Sequence, residues 1–97
     1  MGVKVEFDPV KNAGNIQRRG LSFEMVSESD FETALYYPDN RKDYAEQRVL
    51  ALGYLGSRIH VLVFSEGPEG LRVISFRKAN KREKKRYEQE ARSRIDR

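Results

Sequence analysis

Residues 47–65 constrain this chain most, because their nineteen positions are apolar on both sides of any strand they form. Gly56-Ser57 interrupts them as a two-residue link with glycine first, which suits a type II′ hairpin turn between strands at 47–55 and 58–65. That turn dictates a register: Leu55 opposes Arg58, Tyr54 opposes Ile59, Leu52 opposes Val61, Leu50 opposes Val63 and Arg48 opposes Ser65. These residues share one face, while Val49, Ala51, Gly53, His60, Leu62 and Phe64 share the other. A hairpin apolar on both faces needs cover on both, which places it in the middle of a sheet.

The flanking sequence supplies the cover. Residues 3–7 alternate apolar and polar, as a short half-buried strand does. Asp8-Pro9 then starts a helix over 9–19, with Asp8 as N-cap, Pro9 at the first turn and Gly20 as the stop. Val10, Ala13 and Ile16 form its apolar side, expected to face inward, and Lys11, Asn15 and Arg18 a polar stripe. Ser22 opens a second short helical segment with Phe23, Val26 and Phe31 as core contacts. Residues 33–37 are rich in β-formers, and 38–43 are a polar loop with little to fold it. A strand follows at 71–77, after a 66–70 loop whose length leaves the register open. Asn80 and Glu83 form a capping box for a helix over 81–95, where Tyr87, Ala91 and Ile95 make a narrow apolar stripe. The expected architecture is a single α+β domain over residues 1–97. It has a small antiparallel or mixed sheet of about four strands, two N-terminal helical segments and a C-terminal helix.

Charge is distributed unevenly. Residues 77–97 hold ten Lys/Arg against four Asp/Glu, a net of +6, which leaves −2 for residues 1–76. Lys81, Lys84 and Lys85 are read either as a solvated helix face or as an electrostatic footprint for a polyanion, RNA foremost. The chain has no cysteine, one histidine and no glycine-rich phosphate loop, which argues against thiolate metal sites and nucleotide cofactors, so no cofactor is expected. A cysteine-free domain without an apolar leader or spanning segment fits the cytoplasm, with no membrane partner. Arg48, Arg72 and Arg77 stand in or at the end of apolar strands, where a guanidinium is costly unless it is paired or reserved for an anion.

At these residues the chain resembles the BrnT family, toxins of type II toxin–antitoxin systems with a RelE-like ribonuclease fold. The resemblance rests on an ordered set: Phe7-Asp8-Pro9, Lys11, Asn15, Arg18-Arg19-Gly20 and Ser22-Phe23-Glu24; Arg48 to Gly53; Val61 to Ser65; then Arg72, Ile74, Ser75, Arg77, Ala79, Glu83 and Tyr87. Two positions depart from it. Arg19 stands where the family usually has histidine, and Phe76 where a small residue is common. An arginine stabilises charge but is a poor base, so a histidine's proton-transfer role does not carry over.

The resemblance implies a toxin that cuts RNA during translation and so slows growth, which would make the ribosome a further partner. It also implies a BrnA-like antitoxin, a DNA-binding protein of ribbon–helix–helix type. For such a chemistry, metal-independent attack of a ribose 2′-OH, the expected assignments are Arg48 and Arg77 on the scissile phosphate and Lys11 and Arg19 adding charge. Arg18, Arg72, Lys81, Lys84 and Lys85 would hold the RNA backbone, and Tyr87, Glu83 and His60 are the candidates for proton transfer. Capping by Glu83 and core packing by Tyr87 and His60 are the structural alternatives. The rival function is a non-catalytic module gripping RNA or antitoxin with the same arginines.

Overall fold

Five strands, rather than the expected four or so, make one mixed sheet in the order β1-β5-β4-β3-β2. The computed structural model describes residues 3–95, apart from the side chain of Ile95. Its elements are β1 (Val5–Glu6), α1 (Pro9–Arg19), a 3-10 segment (Phe23–Glu28), β2 (Leu35–Pro38), β3 (Val49–Leu55), β4 (Arg58–Glu66), β5 (Leu71–Lys78) and α2 (Lys81–Ile95). The first strand is shorter than its alternation suggested and lies parallel to β5; the other pairings are antiparallel.

The hairpin follows its turn. β3 and β4 pair with Leu55 opposite Arg58, Tyr54 opposite Ile59, Leu52 opposite Val61 and Leu50 opposite Val63. Gly56 has φ +62° and no described non-glycine residue has positive φ, the type II′ pattern. Both faces are covered, as two-sided apolarity requires. On one side Leu21, Phe23 and Val26 pack on Ala51, Leu62, Val73 and Phe76, with Phe31 partly buried against them. On the other, Ala79 and Tyr87 pack on Leu52, Ile59 and Val61. The apolar stripe of the last helix is therefore real at Tyr87 and Ala91, while the Ile95 side chain lies outside the described residues.

The orientation of α1 corrects the sequence reading. Val10 is 79% exposed and Ile16 46%, and Ala13 is exposed as well, whereas Asn15 is buried. The Asn15 amide donates to the carbonyls of Leu21 and Phe76, each at 2.9 Å, and the Asn12 side chain accepts from the Phe23 N–H at 2.7 Å. Because β1 pairs only with Leu71 and Arg72, the β5 edge near Phe76 lacks a strand partner, and Asn15 supplies one of the missing donors. Specific hydrogen bonds thus turn Asn12 and Asn15 inward and leave the apolar side, with Lys11 and Arg18, in solvent.

His60 is 6% exposed, stacked on Phe76 with ring centroids 5.1 Å apart. Its Nδ1 lies 2.9 Å from the Arg58 carbonyl, which can only accept, so the proton sits on Nδ1. Burial pushes its pKa down. It packs in the core against Phe76. Gly53 is needed for a close approach: a Cβ there would meet the Ala34 Cβ at 2.9 Å.

Candidate functional site

Arg72 and Arg77 are five residues apart and would lie on opposite faces of a regular strand. They share a face because β5 carries an extra residue: Val63 opposes Ser75 while Phe64 opposes Val73, so Ile74 is bulged out. The phase shift sends Val73 and Phe76 into the core beneath the 3-10 segment, and sets Arg72 opposite Ser65 and Arg77 opposite Val61. Alternation along β3 puts Arg48 on that same face, two residues before Leu50.

The loop between β2 and β3, which sequence reading left without a folding reason, is held by Asp39. Its side chain is 1% exposed and accepts from Nε and one terminal nitrogen of Arg41, at 2.7 and 2.8 Å, while its N–H donates to the Arg48 carbonyl at 2.9 Å. Hydrogen bonding by Arg41 holds the Asp39 carboxyl below the usual range, with the Arg48 charge acting in the same sense. Arg48 lies over the Tyr44 ring at 3.8 Å and donates from Nε to Glu46 at 3.1 Å. The charge of Arg41 also opposes that of Arg77. Two guanidinium groups of the β2–β3 loop, Arg41 and Arg48, and that of Arg77 on β5 are therefore close enough to act on one another or on a shared carboxylate. Arg41 and Tyr44 were not among the sequence candidates; the Asp39-x-Arg41 step and Tyr44 four residues before Arg48 were the available signals.

Each arginine has a carboxylate, but they differ in what remains free. An arginine offers five N–H donors. Arg48 commits only Nε, so both terminal nitrogens lack a hydrogen-bond partner among the described residues. Arg72 lies 3.7 Å from Glu6, a loose ion pair, and is 53% exposed. Arg77 is more committed, with three bonds from its two terminal nitrogens: to Glu83 at 2.8 and 2.7 Å and to the Lys78 carbonyl at 3.3 Å. Glu83 also accepts from the Asn80 N–H at 2.9 Å, and the Asn80 side-chain oxygen accepts from the Glu83 N–H at 2.9 Å, completing the capping box. Glu83 therefore clamps the start of α2 to β5.

The clamp makes a pH prediction. Hydrogen bonding from Arg77 lowers the Glu83 pKa, so its stabilisation is present above the ordinary carboxylate range and is lost as pH falls through the lowered value. Glu83→Gln is expected to melt below the parent at pH 7, with a narrower gap in acid, below the ordinary glutamate range, where the parent's carboxyl begins to protonate. An equal gap at both pH values would show that the ion pair adds nothing.

The remaining candidates lie elsewhere. Tyr87 is 5% exposed, edge-on to Tyr54 at 5.4 Å, with its hydroxyl donating to the Thr33 carbonyl at 3.0 Å. Lys11, Arg18 and Arg19 are exposed on α1, and among the described residues no hydrogen bond or ion pair joins them to the arginine group. Lys81 and Lys85 are exposed and Lys84 half-buried on α2.

This arrangement can hold a phosphate by guanidinium donors projecting from a sheet face, with aromatic rings alongside. Comparison with curated proteins finds no match. The model of a family described as "Ribonuclease toxin, BrnT, of type II toxin-antitoxin system" matches residues 7–83. That span includes Arg41, Arg48, Arg72, Arg77 and Glu83 and stops before Tyr87. With most of its length matched, the chain belongs to the BrnT family of ribonuclease toxins of type II toxin–antitoxin systems.

Proposed function

We propose that this toxin cleaves RNA without a metal, by attack of a ribose 2′-OH on the adjacent phosphate, on the sheet face that carries Arg48, Arg41 and Arg77. The observation that carries this reading is that Arg41 and Arg48 of the β2–β3 loop both act on the buried Asp39 carboxyl while the Arg41 charge also acts on Arg77 of β5, with the terminal donors of Arg48 unengaged among the described residues. Charge developing on the phosphate oxygens is met by donors already in place, which costs little reorganisation. Arg48 holds the scissile phosphate, Arg77 and Arg41 complete the positive wall, and Arg72 holds the backbone farther along the face. Lys11, Arg18 and Arg19 add potential at the rim, and Lys81, Lys84 and Lys85 steer the strand. Glu83 and Tyr87, already committed to a clamp and to core packing, act by holding α2 in place. The cleaved RNA is on translating ribosomes, growth stops, and a BrnA-like DNA-binding antitoxin neutralises the toxin.

End-group chemistry tests this. RNA incubated with the purified chain in EDTA is expected to yield 2′,3′-cyclic phosphate and 5′-hydroxyl ends, and 2′-O-methylation at the cut position is expected to abolish cutting. Cleavage that EDTA stops would contradict the mechanism. The carboxylate on every strand arginine favours one second reading, a non-catalytic grip in which RNA binds and is not cut; uncut RNA bound with unchanged affinity after 2′-O-methylation would support it.

The basic helix has its own test. Changing Lys81, Lys84 and Lys85 together to Gln keeps helix propensity nearly constant. RNA binding is expected to lose salt dependence by about 0.7 in log–log slope per phosphate contact removed. An unchanged slope would make these lysines a solvated face only.

A further inference from the structure

Beside Arg48 the β2–β3 loop encloses a cleft of about 500 Å³, whose lining includes Tyr36, Tyr37, Tyr44, Asp43 and Glu46. Resting on the ribonuclease reading above, we propose that this cleft seats a nucleobase of the bound RNA next to the phosphate held by Arg48, with Tyr44 as its stacking platform.

Size, charge and rigidity support this occupant. A space of this volume accepts one base with its sugar. The carboxylates of Asp43 and Glu46 in the wall disfavour a phosphate but accept hydrogen bonds from the N–H edges of a base. The ring of Tyr44 has Arg48 over one face at 3.8 Å, so a base stacked on its other face would be tied to the phosphate site through a single contact. Tyr37 is likewise backed, by Arg86 at 4.0 Å. The loop is held by the Asp39–Arg41 pair and by the Asp39 N–H to Arg48 carbonyl bond, so the rings stand ready before RNA arrives. Single-stranded RNA is commonly read in this way, by aromatic rings that stack splayed bases.

The test uses RNA oligonucleotides in which each position beside the cut is made abasic in turn. For the parent, one flanking position is expected to lower kcat/KM by about 5- to 100-fold when its base is removed, the range of a base–aromatic stack. Tyr44→Ala is expected to erase that dependence, cutting intact and abasic RNA alike, whereas Tyr44→Phe retains it. Tyr44→Ala also withdraws support from Arg48, and the intact-to-abasic ratio within each variant separates lost stacking from a general loss of rate. If the parent cuts RNA but no abasic position matters, or if Tyr44→Ala keeps the full ratio, the base site is wrong and the ribonuclease reading survives. If the parent neither cuts nor binds any of the oligonucleotides, both are wrong.

Discussion

Replacing Arg48 by Ala is expected to lower RNA cleavage by about 100- to 1,000-fold, the cost of removing one well-placed donor to a developing negative charge. Little of that loss should come from unfolding. The Arg48 side chain is 22% exposed, its one side-chain hydrogen bond among the described residues is to Glu46, and Glu46 is itself 45% exposed, so its removal strands no buried carboxylate. An ion pair of this kind contributes about 0–1 kcal/mol to stability. Arg48→Lys is expected to recover part of the rate at most, because an ammonium reproduces the charge but not the fork of donors. Arg77→Ala should behave differently. It leaves Glu83 without its guanidinium, so both the rate and the melting temperature fall. If Arg48→Ala cleaves within a few-fold of the parent, the phosphate site lies elsewhere.

The second large effect concerns α1 and runs against intuition about helix faces. Asn15→Ala is expected to destabilise the protein by about 1–3 kcal/mol, the cost of leaving buried acceptors without donors. Its amide serves two carbonyls, those of Leu21 and Phe76, and no strand lies beside Phe76 to replace it. Val10→Ala, which removes apolar bulk from the same helix, is expected to change stability by less than about 0.5 kcal/mol because Val10 is 79% exposed. For a domain of this size each kcal/mol shifts the melting temperature by about 4–8 °C, so thermal melts resolve the two. Should Val10→Ala be the more damaging, α1 faces the other way.

The contrast between the hairpin and α1 shows what was legible in the sequence. The register of β3 and β4 could be read because a two-residue turn leaves one pairing, and two-sided apolarity demanded cover on both faces. The same logic fails for α1, where periodicity assigns Val10, Ala13 and Ile16 inward. Two asparagines overrule it through hydrogen bonds to residues up to 61 positions away. Arg72 and Arg77 were visible as unusual strand arginines, but their common face depends on the bulge at Ile74, and the 66–70 loop gave no register from which to place it. Arg41 and Tyr44 sit in a segment without periodicity, ordered by one ion pair and one cation–π contact. The family match supplies the ribonuclease and toxin assignments, which neither periodicity nor charge could name.

The arginine face itself is tested most directly by watching its guanidinium groups as RNA binds. In protein carrying ¹⁵N-labelled arginine, titration with a fully 2′-O-methylated, uncleavable RNA is expected to shift the Nε–Hε resonances of Arg41, Arg48 and Arg77, with Arg48 moving most. Resonances of Arg18 and Arg19 on α1 should move less. Saturable shifts confined to arginines of α1 or α2, with Arg41, Arg48 and Arg77 unmoved, would contradict the assignment of this face as the site of RNA cleavage.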